Sequence, residues 1–351
     1  MPEQGDRALR RLLAVALVMG IGALTIYSMI VGRDILLPLV VAFVVWYFVN
    51  ILATAIRRYS RNRIPGWLAV TLGAVGVLVL GTLIGNMIGN NLATIAEQLP
   101  SYEERFDKLL LHWGESFGVE HPPRAAELLG RVDFRAIIRA SAGELAGLAG
   151  NAGLVLLYVF FLLLEQNGFN RKLSRLISNP DRERNARVVI ARIHQDLQTY
   201  LRIKVLLALL TAMFGWAIMA WVELDFASFW AALFFLLYFV PTIGTPLALI
   251  GPAMFALVQF EDLTPFLIVV VPNLVVQIAV ANFVEPAMMG RSLNLSPFVS
   301  IVALVVFGVL WGLIGMVLCV PILVAVVIIL AHFDKTRGMA VLLSAKGDIT
   351  D

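Results

Sequence analysis

Residues 223–262 read ELDFASFWAALFFLLYFVPTIGTPLALIGPAMFALVQFED, and how the chain enters and leaves this stretch decides the fold. Its ends are acidic, with Glu223 and Asp225 before and Glu261 and Asp262 after, and its midpoint is Pro241-Thr242-Ile243-Gly244-Thr245-Pro246. Backbone in lipid must hydrogen-bond to itself, which a helix does, whereas Pro and Gly gathered at one place end one helix and start another. The stretch therefore predicts two helical arms joined by a bend, with both ends on one side of a membrane. Arms of about 14 and 15 residues reach roughly 21 to 23 Å, short of a hydrocarbon core of about 30 Å, so a re-entrant or deeply broken hairpin is expected.

The remainder of the chain asks for the same lipid setting. Of 351 residues, 60% are hydrophobic and only 15% charged, which is far from the balance of a soluble protein. The stretches 12–31, 35–56, 66–88, 145–164, 203–222 and 264–284 each have the length and polarity of a membrane-crossing helix. A further apolar stretch, 298–332, is too long for one straight span and is broken at Trp311-Gly312-Leu313-Ile314-Gly315, leaving arms of about 15 and 17 residues. The expected fold is all-α: a polytopic membrane protein of about eight hydrophobic helical elements, two of them broken hairpins. The first apolar run follows Arg7, Arg10 and Arg11 without a small-residue cleavage pattern and reads as a retained anchor. The single cysteine, Cys319, sits in an apolar segment and reads as a packing residue, because one cysteine supports neither a disulfide framework nor a cysteine metal site within one chain.

Charge in the loops sets the expected sidedness. Arg57, Arg58, Arg61 and Arg63 cluster between two spans, and the segment from Arg171 to Lys204 carries nine basic residues against three acids, so both belong in the cytoplasm. The turn at Gly32 to Asp34 and the region from Asn90 to Glu144, with nine acids against six bases, then fall outside, and both termini inside. The net charge of +3 is thus loop charge placed by topology, and no nucleic-acid surface is expected. The domain reading is 1–91 for the first three spans, 92–144 for an outer amphipathic helical region, 145–166 for the fourth span and 167–202 for a cytoplasmic basic helical region. A transport core follows over 203–333, and a cytoplasmic tail over 334–351. In the outer region Ile95, Leu99, Tyr102, Phe106, Leu109, Trp113 and Phe117 recur every three or four residues and mark one helix face, and a second helical pattern follows Pro122-Pro123. That face packs on its own neighbour or lies on the membrane, with a protomer contact as the competing reading. Val189, Ile193, Leu197 and Tyr200 form a similar face in the basic region. Gly81, Gly85 and Gly89, four apart, have the spacing of close helix packing.

Between Lys204 and Arg291 the chain has no Lys or Arg. Acids bound the stretch 227–259, whereas Arg291, Lys335 and Arg337 bound 298–332, so the two hairpins should enter from opposite sides. Span 203–222 followed by an outer hairpin, and span 264–284 followed by an inner one, make an inverted repeat, with Gly244 and Gly315 in corresponding positions. Opposed hairpin tips near the membrane midplane would present unsatisfied backbone groups to a small solute or ion, in a site open to alternate sides.

The polar residues inside this core are the candidates for the pathway. Glu285 ends an apolar span just before Pro286; a carboxylate at the membrane centre costs about 2.5 to 3.5 kcal/mol on insertion scales, so it is either functional or hydrated at the interface. Asn273, Gln277 and Asn282 precede it on the same span and either line a path or hold helices together. Thr242, Gly244 and Thr245, between Pro241 and Pro246, offer hydroxyls and open backbone, or only a tight turn. Glu165 closes the fourth span before Gln166 and Asn167 and reads as a boundary residue ahead of a proton carrier. His112, His121, His194 and His332 are scattered without metal-ligand spacing, so neither a metal nor any other cofactor is expected.

Four motifs together resemble the autoinducer-2 exporter family of permeases. They are Phe239 to Pro246, Asn282-Phe283-Val284-Glu285-Pro286-Ala287-Met288-Met289-Gly290, Leu295-Ser296-Pro297, and Phe307 to Gly315 with Val320-Pro321. The resemblance implies an eight-helix transporter of the bacterial inner membrane that exports autoinducer-2 or exchanges monovalent cations for protons. It adds Gly290, Pro297, Gly312 and Gly315 to the candidate pathway residues. An oligomer, a pentamer among the states, is an implication of the resemblance alone. The chain departs from the family pattern near Glu165, where members often carry Asp, and at Arg202-Ile203-Lys204, where a Gly-Gln pair is usual. The functional expectation is a secondary transporter working by alternating access, with lipid and a small solute or monovalent cation as partners. A membrane scaffold acting through its soluble helical regions is the alternative, and an enzyme is disfavoured for want of a nucleophile or metal set.

Overall fold

The structure, a computed structural model, describes residues 2–116, 143, 147, 150–166, 168–177, 179–289, 295–332 and 336–345. The helical pattern expected after Pro122-Pro123, and Gly290 with Arg291, lie outside the described residues. Helices make up the fold: α1 (Pro2–Val31), α2 (Arg33–Tyr59), α3 (Gly66–Ser116), α4 (Ala152–Glu165), α5 (Phe169–Leu176), α6 (Pro180–Trp221), α7 (Ala227–Leu237), α8 (Gly244–Phe260), α9 (Leu263–Ala279), α10 (Glu285–Met289), α11 (Pro297–His332) and α12 (Arg337–Leu343). Among the described residues no strand forms, only an isolated bridge between Leu295 and Ser344 that ties the tail to the start of α11. By length and composition α2, α3, α6, α9 through Met289, and α11 can cross a membrane, and Met19–Val31, α4, α7 and α8 are shorter apolar helices. Leu17, Leu24, Phe160, Met213, Trp216 and Val309 are all exposed, an apolar surface that suits lipid and not water.

Two expected boundaries vanish into long helices. α3 runs 51 residues, about 76 Å at 1.5 Å per residue, so the third span and the outer amphipathic helix are one rod. The described part of its stripe packs on the chain itself, with Ile95 joining Trp230 and Phe229 in one core and Tyr102 and Phe106 joining Val258 in another, while the Trp113 side chain and Phe117 lie outside the described residues. The Tyr102 hydroxyl donates to Asp225 Oδ2 at 2.9 Å, fixing the rod to the start of the first hairpin. α6 runs 42 residues from a cap in which the Asn179 side chain accepts from the Asp181 and Arg182 amides, with Pro180 in the first turn. The basic region and the fifth span are therefore also continuous, because nothing between Asp181 and Trp221 breaks helical hydrogen bonding.

The break between α1 and α2 is the single residue Gly32, whose amide still bonds Ser28 O at 2.8 Å, so Arg33 and Asp34, expected in the turn, already belong to α2. Close packing by glycine occurs at Gly73, where a Cβ would meet Val49 O at 2.8 Å, and not at Gly81, Gly85 or Gly89, which have no such neighbour within 4 Å. The four-residue spacing identified a small-residue face but not the partner that α2 supplies lower down.

A bend is present at both expected places. The first joins α7 and α8 through Tyr238 to Ile243, with Thr242 at φ 59°. A Cβ on Gly244 would fall 1.8 Å from Leu237 O, so only glycine lets the returning arm start there. The second lies within α11, at Gly312 with φ 66° and ψ −149°, a backbone region that belongs to glycine. Gly315 presses on Phe307 O as Gly244 presses on Leu237 O, with a Cβ contact of 2.0 Å. α6 packs against both hairpins and against α9, and is the central post of the core.

Candidate functional site

α6, the end of α7 and the end of α9 meet around Glu285. Lys204, on α6, is 8% exposed and brings its Nζ to 2.6 Å from Glu285 Oε1. The Tyr238 hydroxyl, just past α7, donates to Glu285 Oε2 at 2.8 Å. The same ammonium lies over the Tyr238 ring at 4.7 Å from its centroid. Each carboxylate oxygen thus has a donor, and the lysine has both an anion and an aromatic face, which is how charge is tolerated in an apolar interior. Tyr200 stands one helical turn before Lys204 on the same face of α6, within electrostatic reach of Glu285 and of Cys319 on the returning arm of α11. It is 2% exposed, and its hydroxyl is buried without a hydrogen-bond partner.

Local structure explains how Glu285 is aimed. Residues Val280–Val284 form a π turn, and the Glu285 amide bonds Val280 O. The extra residue breaks the register of α9, and such turns concentrate at functional sites. The first bend is held beside this turn: Tyr238 and Phe239 share a core with Ile203, Leu207 and Val280, and Met289 packs on it.

The other expected pathway residues distribute as follows. Asn273 and Gln277 are buried, with Asn273 Nδ2 donating to Val269 O at 2.7 Å and its Oδ1 facing Gly215. Asn282 is exposed and its amide bonds its own helix at Ile278 O. At the first bend Gly244 is buried, Pro241 and Thr245 half-buried, and Thr242 and Pro246 exposed; Pro286 and Pro297 are exposed as well. Gly312 is half-buried and Gly315 buried at the second bend, which is tied elsewhere, since Trp311 Nε1 donates to Met29 O at 3.2 Å. The polar centre is therefore built by the first bend with α6 and α9, and the second hairpin lends the middle of its returning arm. Glu165 is exposed and pairs with Lys172, the arrangement of a boundary residue. Lys204, Tyr238 and Tyr200 are what the residue pattern passed over. The signal was there: Lys204 is the one base inside the apolar run that starts at Ile203, and a lone buried base implies a buried acid.

Two further features flank the site. His194, in the polar half of α6, packs at a tilt against the adjoining rings of Trp46 and Tyr47, with ring centroids 5.7 and 5.2 Å away, and its ring nitrogen bonds Gln198. Burial pushes its pKa below the usual histidine value. An open apolar groove of about 230 Å³ lies between α3, α6 and α7, lined by Ile84, Met87, Met213, Trp216 and Phe235, and does not include the charged centre.

A bundle of long apolar helices, two stretches of it interrupted at glycine-containing bends and one of these beside a largely buried acid–base pair, defines the class: a multi-pass membrane protein. The sequence profile of the AI-2E family transporters matches residues 13–335, and the chain belongs to that family. It is 27% identical over 339 residues to the AI-2 transport protein TqsA of Escherichia coli (strain K12), a match covering 95% of this chain and 96% of the relative. It is 24% identical over 305 residues to a sodium-lithium/proton antiporter of Halobacillus andaensis, covering 80% and 85% of the two chains.

Proposed function

We propose that this protein is a secondary transporter of the bacterial inner membrane, with cytoplasmic termini, that exports a small polar solute such as autoinducer-2 or exchanges monovalent cations for protons by alternating access. The observation that carries this reading is the Lys204–Glu285–Tyr238 cluster, in which three separate elements place a half-buried carboxylate beside a buried ammonium and a buried phenol in an otherwise apolar bundle. Ionisable groups at such depth are costly, and in membrane proteins they mark pathways more often than packing. The names of the relatives support both arms of the reading, one naming AI-2 and the other sodium, lithium and protons.

In this mechanism the first hairpin and the π turn are the moving parts. Tyr238 sits at the bend and Glu285 follows the π turn, so a small rotation of either separates the phenol from the carboxylate and opens space between α6 and α9. A solute carrying hydroxyl or carbonyl groups replaces those hydrogen bonds during passage. Asn273 and Gln277 extend the polar surface along α9, and the second hairpin closes the opposite side. The scaffold alternative is less favoured, because Tyr102, Phe106 and Leu109 of the described part of the outer helix are buried within the chain.

Proteoliposomes without nucleotide test the proposal. Loaded with autoinducer-2, or with a sodium or lithium gradient and a pH-sensitive dye, they should show protein-dependent flux that Glu285→Gln strongly reduces at equal reconstitution. Absence of flux for all of these, or flux indifferent to Glu285→Gln, refutes it.

A further inference from the structure

Glu285 has the surroundings of a monovalent-cation site, and Lys204 stands in it. The oxygens at the pair are the two of the carboxylate and the Tyr238 hydroxyl bonded to one of them, and a further hydroxyl, that of Tyr200, is buried and unpartnered one turn before Lys204 on the same face of α6. Hard oxygen donors of this kind, with one negative charge, suit sodium or lithium. The space that such an ion would take beside Oε1 is filled by the Lys204 ammonium at 2.6 Å, which also uses the Tyr238 ring as a cation surface.

We infer that Lys204 is a tethered counter-ion that occupies a latent sodium or lithium site formed by Glu285, Tyr238 and Tyr200, so that the protein works at this carboxylate without binding a free cation. The inference rests on the reading that the Glu285 cluster lies on the transport path, and it selects within it: solute movement through the site is independent of sodium and lithium. A fixed ammonium competes with a dissolved cation at an effective concentration set by its tether, in the millimolar range or higher, and a weak hydrated cation does not displace it. Removing the ammonium leaves a half-buried carboxylate with one phenol bonded to it, a second unpartnered phenol on the neighbouring turn of α6, and no neutralising charge. Recruiting a small cation is then the cheapest way to keep the carboxylate ionised. Tyr200 acquires a role here that packing alone does not give it, since its orphan hydroxyl becomes a ligand once the seat is free.

The test is thermal unfolding of the full-length protein in neutral detergent, titrated with sodium, lithium or choline chloride at constant ionic strength. The wild-type protein shows no difference among the three salts. Lys204→Met gains a rise in Tm of roughly 5 °C in sodium or lithium over choline at saturation. Lys204→Met with Glu285→Gln loses that response, and Lys204→Met with Tyr200→Phe weakens it. If Lys204→Met yields folded protein poorly, sodium or lithium during purification restores the yield and choline does not. A wild-type protein stabilised selectively by sodium or lithium overturns the inference, as does a Lys204→Met protein that responds equally to all three salts or is lost equally in all three. Because the readout is binding and not flux, a protein that moves nothing in liposomes but gains the cation response on Lys204→Met refutes the transport reading and leaves this one standing.

Discussion

The Lys204–Glu285 pair should behave as one energetic unit, and a double-substitution cycle measures this directly. Lys204 Nζ and Glu285 Oε1 are 2.6 Å apart, with 9% and 20% of their side chains exposed, so solvent screens them little. Unit charges about 4 Å apart at an effective dielectric of about 20 attract by about 4 kcal/mol, and taking both out of water costs several kcal/mol per ion. The pair is therefore close to neutral as a whole, while either half alone is expensive. Glu285→Gln strands a buried ammonium and Lys204→Met a half-buried carboxylate, and each should cost about 3 kcal/mol. The double substitution removes both charges and should cost only about 1 to 2 kcal/mol, leaving a coupling of about 4 kcal/mol. In a chain of this length each kcal/mol moves Tm by about 2 °C, so the single variants should unfold about 6 °C low and the double variant about 2 to 4 °C low. Scans in choline chloride at one heating rate avoid both cation replacement and rate artefacts. Losses that add, with the double variant near 12 °C low, refute the idea that these residues hold one another's charge.

The hairpins, the histidine and the outer rod give further tests. Gly312→Ala forces a side chain into φ 66°, ψ −149° and should cost about 1 to 3 kcal/mol; an unchanged Tm would mean that the second hairpin does not need this reversal. Gly244→Ala places a Cβ against Leu237 O and should lower the yield of folded protein further than Gly312→Ala, and equal yields would contradict the close approach. His194 has a depressed pKa, so the unfolded chain binds its proton first as pH falls; the stability it supports is complete above about 6.5 and declines on acidification below it. Tm should therefore drop more between pH 7 and 5 in the wild-type protein than in His194→Gln, and parallel curves would show that the ring is hydrated. Tyr102→Phe removes the bond to Asp225 and should cost about 1 kcal/mol, read as faster hydrogen exchange over residues 92–116 and not at α9.

Much of this architecture is written in the sequence because lipid imposes simple rules. Apolar length marked the helices, five of which are long enough among the described residues to cross a membrane, and Pro241 to Pro246 and Trp311 to Gly315 marked both bends, since glycine and proline act locally wherever the chain runs. The joins were harder to place. A polar helix and an apolar one can share one axis, and nothing in composition distinguishes a helix that continues through Asn90 or Arg202 from one that stops there. The site was half legible for a similar reason. Glu285 drew attention as an acid next to Pro286, but Lys204 merged with the basic loop charge that sets topology, and Tyr200 passed as one more residue on an apolar face. Their meeting depends on the π turn at Val280–Val284, which has no local signature and shifts the register by one residue. Asn282, placed by helical spacing with Asn273 and Gln277, is exposed beside that irregularity.

The claim on which the account stands is that the Glu285 cluster is reached from either face of the membrane in turn. A single cysteine replacing Tyr238 in a Cys319→Ala background, probed with a small charged thiol reagent in right-side-out and inside-out vesicles, measures that access. The account predicts modification from both sides, slowed from both by the transported solute. Modification from one side only, or from neither in folded protein, contradicts it.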